Sequence, residues 1–262
     1  MSGFFGKHSI LIKEKVEWYA FLRKHRLPFA LKRNRSWSMD VCDFEVIIDI
    51  LGGYRADESV HVVELGSGTS TLVLAHIVSR LFDDAHIISV EGEESYAQQL
   101  QDEITRYALD DTVILHHIPY VKDDYGCWFS KDALRCILDK RVDILIVDAP
   151  PRTLCPCARQ PAIPFFLLYL KQNGIVFLHD TCREDESVIA DAWSRYFLTR
   201  RRINTPKGIV LFTGHSQERH GNIHIDYGST DAKLFGIRMA RENDYSPPRA
   251  ASSPLIVISE FR

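Results

Sequence analysis

The chain has 262 residues, of which 45% are hydrophobic, 26% charged and 11% aromatic. Those values exclude a disordered or collagen-like protein, and the length suits one large α/β domain with additions. Net charge is −3, against a generic polyanion binder, yet residues 1–39 hold nine Lys/Arg and two acids (+7) while the remainder holds 23 and 33 (−10).

Residues 8–25 predict an amphipathic helix, with Leu11, Ile12, Val16, Trp18, Tyr19 and Leu22 on one broad face. Its basic end, Arg23, Lys24, His25 and Arg26, runs into Pro28, and Lys32, Arg33 and Arg35 follow. Ser38 or Asp40 is placed to cap a second helix ending at Gly52-Gly53. Strands and helices then alternate: strands at 60–65, 86–90, 112–118, 142–147 and 175–178, and helices at 70–82, 93–108, 130–138, within 158–172, and 183–196. Asn173-Gly174 is expected to close the helix before the fifth strand. Repeated βα units imply a parallel sheet with helices on both faces. Thr205-Pro-Lys-Gly208 joins 197–204 to 209–213 too tightly for a parallel crossover, so one antiparallel strand is expected near the edge.

The expected fold is therefore a Rossmann-like, doubly wound α/β sheet with N-terminal helices and a C-terminal appendage. The expected boundaries are a helical arm at 1–53, a core at 54–214 and a loop-rich extension at 215–262. Leu255–Ser259 is a candidate last strand, and Leu255–Ile258 and the first helix are candidate contact surfaces for a homo-oligomer. The six cysteines follow no signal peptide and no run approaches the roughly 20 apolar residues of a membrane span, so reduced thiols and a cytoplasmic location are expected. Cys155-Pro-Cys157 lacks a second ligand pair at zinc spacing and reads as loop.

Ligands of open α/β sheets bind beyond the carboxyl ends of the strands. Three of those ends carry acids here: Glu64, Glu91 and Asp148, with His179-Asp180 ending a fourth strand. The first turn, Glu64-Leu-Gly66-Ser67-Gly68-Thr69-Ser70-Thr71, lets a ligand approach the backbone closely. Thr71 departs from the dinucleotide fingerprint, and Glu64 repels phosphate but suits an ammonium or sulfonium. Both features disfavour an NAD-dependent oxidoreductase. Glu91, 25 residues after Gly66, suits the two hydroxyls of a ribose.

The segments VVELGSGTSTLVLA (62–75), ISVE (88–91), VDILIVDAPP (142–151) and GIVFLHDTCR (174–183) resemble the class I S-adenosylmethionine-dependent methyltransferases over roughly residues 37–213. Trp37-Ser38-Met39, Trp128-Phe129 and Pro161-Ala162-Ile163 add a resemblance to a subgroup whose members often methylate small molecules or act in glycan pathways. The resemblance implies that Glu64, Gly66, Ser67, Gly68, Thr69 and Ser70 hold the methionine part of S-adenosylmethionine. It further implies that Glu91 holds the ribose and that Asp148 stands beside the sulfonium and the acceptor. The family's adenine-binding acid after the third strand is replaced by His116-His117-Ile118-Pro119.

Asp148, His179 and Asp180 are the expected catalytic residues. His179 is a candidate general base near neutral pH. In the alternative, Asp148 and Asp180 help to bind a divalent metal that activates a substrate hydroxyl, as the resemblance to catechol- and caffeoyl-type O-methyltransferases suggests. Arg152 and Arg183 either clamp an anionic acceptor group or are solvated loop charges. The leading expectation is methyl transfer to a small molecule or sugar, at oxygen. A nucleic-acid methyltransferase is disfavoured because Ala149 and Arg152 break the Asp-Pro-Pro-aromatic motif. A non-catalytic S-adenosylmethionine-binding protein is the other alternative.

Overall fold

A computed structural model describes residues 2–28, 30–31, 38–123, 126–215, 223–225 and 256–258. Lys32, Arg33, Arg35, Trp37 and most of 215–262 lie outside the described residues.

Two helices come first, α1 (Ser2–Lys24) and α2 (Val41–Leu51). Then follow β1 (Val60–Leu65), α3 (Thr69–Leu81), β2 (Ala85–Glu91), α4 (Glu94–Arg106) and β3 (Val113–His117). A hairpin of β4 (Tyr120–Asp123) and β5 (Gly126–Phe129), absent from the sequence reading, precedes α5 (Lys131–Ile137). The core closes with β6 (Val142–Val147), α6 (Ala162–Phe166), β7 (Leu170–His179), α7 (Glu184–Trp193), β8 (Thr199–Ile203) and β9 (Ile209–Thr213). Outside the main sheet, β10 (Ile223–Ile225) pairs antiparallel with β11 (Ile256–Ile258), inside the stretch expected to form a last strand.

The seven-stranded sheet has the order β3-β2-β1-β6-β7-β9-β8. Only β9 runs against its neighbours, β7 and β8, as the short 205–208 turn requires. Strand order reverses between β1 and β6, which opens a crevice at their carboxyl ends.

The apolar runs of β1, β6 and β7 are buried on both faces. Val62, Ile144, Ile146 and Phe177 join one core with α1 to α4. Val63, Leu65, Leu145, Val147, Val176 and Leu178 join the other, with α5, α6, α7 and β5. The period-2 alternation of strand side chains makes this division.

Two expectations need correction. Among the described side chains of α1, Trp18, Phe21 and Leu22, at i, i+3 and i+4, are buried, whereas Val16 and Tyr19 are exposed; the side chains of Leu11 and Ile12 lie outside the description. Phe21 stacks on Phe44 of α2, with ring centroids 5.5 Å apart. The helix expected within 158–172 is the single turn α6, with Pro161 and Pro164 at its start, where no backbone donor is needed. Asn173-Gly174 ends no helix: it lies inside β7, where the pairing with β6 shifts register between Leu170 and Ile175.

Candidate active site

A cavity of about 760 Å³ opens at the crevice between β1 and β6. The sheet register gathers its walls. Gly66 N–H donates to Val90 O at 2.9 Å, and Asp148 N–H donates to Leu65 O at 2.9 Å, so three strand ends meet there.

One end of the cavity is the Gly66–Ser70 turn, leading into the start of α3. Gly66 has φ of 97°, and a Cβ on it would fall 2.8 Å from the Ala149 Cβ. The turn therefore packs directly on the β6 loop, and only glycine fits. Glu91 lines the same end. Its Oε2 accepts from Ser67 Oγ at 2.8 Å, and its Oε1 accepts from the N–H groups of Gly92 and Glu93 at 2.8 and 2.9 Å. Three donors thus lock one carboxylate at the cavity wall.

Tyr96 and Tyr120 also line this end. Tyr120 lies so close over Gly92 that a Cβ there would come within 2.1 Å of its ring. Sequence reasoning missed both tyrosines. His116 and His117, which stand where an adenine-binding acid was sought, are not among the lining residues.

Glu64 is placed elsewhere. It is fully buried beneath the turn, where its Oε2 accepts from Thr71 Oγ1 at 2.6 Å and Ser89 Oγ at 2.9 Å. Burial pushes its carboxyl up to about 7, against the hydrogen bonds of Ser70, Thr71 and Ser89. It braces the turn and does not line the cavity.

The other end of the cavity holds Asp148, Asp180, Arg152, Arg159 and Arg183, with Ser38 and Met39 from the chain before α2. Asp180 has φ of 64°, a left-handed conformation that aspartate tolerates better than most residues. Its Oδ2 takes Arg159 Nη2 at 3.1 Å and Arg183 Nη1 at 2.7 Å. Arg152 lines the mouth and pairs with no acid among the described residues.

His179 faces away from the cavity. It is fully buried, with Nδ1 2.9 Å from Asp148 Oδ1 and Nε2 3.0 Å from Asp43 Oδ2 on α2. Burial opposes a charged ring, but Asp148 and Asp43 outweigh it and hold the imidazole up at about 10. A carboxylate at each nitrogen favours the charged ring, and neither nitrogen is turned toward the cavity, so the geometry speaks for a positioning role rather than for the general base expected of His179. Burial would raise the Asp148 carboxyl, yet His179 and Arg159 hold it below the ordinary range.

Asp43 and Arg159 were both missed. Asp43 had a signal: Asp43, Ile47 and Leu51 recur at helical spacing on the buried face of α2, and a carboxylate on such a face needs a partner. Arg159 stands just before Pro161-Ala162-Ile163 and carried no readable pattern.

Residues 63–181 match a family described as a methyltransferase domain. No curated protein matches the chain. Among solved structures, the SAH-bound methyltransferase PaMTH1 of Podospora anserina is 13% identical (TM-score 0.54), covering 82% of this chain and 97% of its own. Cofactor-bound Rv0187 from MTB is 15% identical (TM-score 0.54), covering 76% and 89%. The O-methyltransferase TomG of Streptomyces achromogenes, involved in tomaymycin synthesis and solved with SAM, is 15% identical (TM-score 0.52), covering 75% and 86%. At such identities the likeness speaks for the fold, and the domain match at 63–181 speaks for the family. No helix among the described residues is long and apolar enough to cross a membrane. Over residues 63–181, a little under half of its length, the chain is similar to the methyltransferase-domain family, and its fold is the Rossmann-like one of solved methyltransferases.

Proposed function

We propose that the chain methylates a small molecule or sugar, at oxygen, and does so in the cytoplasm, where its six cysteines stay free thiols. The observation that carries this reading is the shape of the cavity. Its volume of about 760 Å³ is that of a small-molecule site. Its two ends differ in chemistry, a glycine turn with one locked carboxylate against a cluster of acids and arginines.

At the first end, Glu91 accepts from the two ribose hydroxyls, because its oxygens are already aimed by Ser67 and the 92–93 backbone. Gly66, Ser67, Gly68, Thr69 and Ser70 wrap the methionine part. Tyr96 and Tyr120 offer flat faces to the adenine. The bound cofactor supplies an electrophilic methyl on a sulfonium. At the other end, Asp148 would accept a hydrogen bond from the acceptor hydroxyl, orient its oxygen and receive the proton that methylation of that oxygen releases, while the fixed positive charge of Arg159 favours negative charge developing on the oxygen. Arg152 and Arg183 guide an anionic group of the acceptor into the mouth. His179 positions Asp148.

Calorimetry with S-adenosylhomocysteine tests the first end. Glu91→Ala removes a charge-assisted pair of hydrogen bonds, so the affinity should fall roughly tenfold to a hundredfold. No binding to the wild-type protein, or equal binding to the variant, would overturn the assignment.

A further inference from the structure

Asp148, His179 and Asp180 bring three potential ligand atoms within 4.8 Å of one another, the arrangement from which a divalent-ion site is built. The surrounding residues decide whether an ion fits, and a cationic side chain already holds the two facing carboxylate oxygens, Asp148 Oδ1 and Asp180 Oδ2. Arg159 is only 2% exposed, and its guanidinium reaches into the middle of this group. Its Nη2 lies 3.1 Å from Asp148 Oδ1 and 3.1 Å from Asp180 Oδ2, bridging the two carboxylates. The same nitrogen donates to the Asp148 backbone oxygen, Nη1 donates to His179 O at 2.9 Å, and Nε donates to Pro150 O at 3.3 Å. Glu186 adds an ion pair at 3.8 Å. His179 cannot ligate either, because a metal needs a bare nitrogen and both of its nitrogens point at carboxylates.

We propose that the Arg159 guanidinium stands where a divalent cation would, clamping Asp148 to Asp180, so that this chain carries a built-in cation and works without a metal ion. Arginine suits the task. Its planar fork reaches two carboxylates and three backbone oxygens at once, and it never gives up its charge. Those backbone oxygens belong to residues of the β6 and β7 ends, so the guanidinium also fixes the spacing of the two strand termini. A magnesium-sized ion seated between the two carboxylates would need Asp148 Oδ1 and Asp180 Oδ2 at about 2.1 Å, a place the guanidinium fills and whose charge it already balances.

The proposal takes the acceptor end of the cavity from the function proposed above, but its test does not depend on methyl transfer. The full chain is titrated with Mn²⁺ and the free ion is followed by electron paramagnetic resonance. S-adenosylhomocysteine affinity is measured on the same samples. The wild-type protein should hold no Mn²⁺ at micromolar concentrations. Arg159→Met, which keeps the apolar stem and frees the carboxylates, should bind Mn²⁺ at least about tenfold more tightly, and adding Asp180→Asn should remove that gain. A wild-type Mn²⁺ site of micromolar affinity that Asp180→Asn abolishes would overturn the proposal. So would a folded Arg159→Met protein that gains no ion. If that variant does not fold, the wild-type and Asp180→Asn titrations decide by themselves. Failure of cofactor binding with an unchanged Mn²⁺ result would count against the proposed cofactor site and leave the built-in cation standing.

Discussion

Raising the pH from about 7 to 8.5 should weaken the wild-type protein by about 2 kcal/mol through His179, and His179→Gln should remove most of that slope. The imidazole is held at about 10 in the folded chain, against 6.5 for the ordinary group. A group whose pKa is raised by folding contributes its full stabilisation below the unfolded value. That stabilisation then drains away as the pH climbs toward the folded value. Inside the window each pH unit is worth about 1.4 kcal/mol, which gives about 2 kcal/mol across the interval. His179 dominates the interval. Glu64, pushed up to about 7 by burial, gives up the rest of its proton in the lower part of it and adds roughly 0.4 kcal/mol of the same sign, which the variant keeps. Above the interval the thiols of Cys42 and Cys155, both raised first by burial, begin to ionise in the unfolded chain. Urea unfolding followed by far-ultraviolet circular dichroism reads the effect as a midpoint shift of roughly 1 M, given a slope of about 2 kcal/mol/M. Slopes are compared rather than absolute stabilities, because His179→Gln also leaves Asp43 and Asp148 without their cation. A flat wild-type midpoint, or an equal slope in the variant, would refute a buried imidazolium.

Gly66→Ala should cost about 1–3 kcal/mol in thermal or urea unfolding and weaken cofactor binding, since the new methyl meets Ala149 at a φ of 97°. Glu64→Gln should flatten the stability profile between about pH 5 and 7, where the wild-type protein loses stability as Glu64 ionises; equal profiles would contradict its burial as an acid.

The strands were legible because burial on both faces writes itself as an unbroken apolar run, as in Val142–Val147. The glycine turn and the acids at strand ends were legible for a related reason. Positive φ and a charge next to a buried strand are local requirements, visible at Gly66, Glu91 and Asp148. The clamp was not legible, because it is made of distances. Nothing local tells that Arg159 would lie 3.1 Å from Asp180, 21 residues away, or that Asp43 would meet His179. His179 was read as a base from its residue type, and its two partners were not visible. The Asn173-Gly174 helix end failed differently: an apolar run of that length can form a helix or the start of a strand.

The hydrogen bond from His179 to Asp43 closes a span of 136 residues. A chain whose α2 is not docked has an imidazole with one carboxylate instead of two, and an Asp148 less firmly held. Docking of the first helices and the ordering of Asp148 at the cavity wall are in this sense coupled, although α2 itself lies far away in sequence.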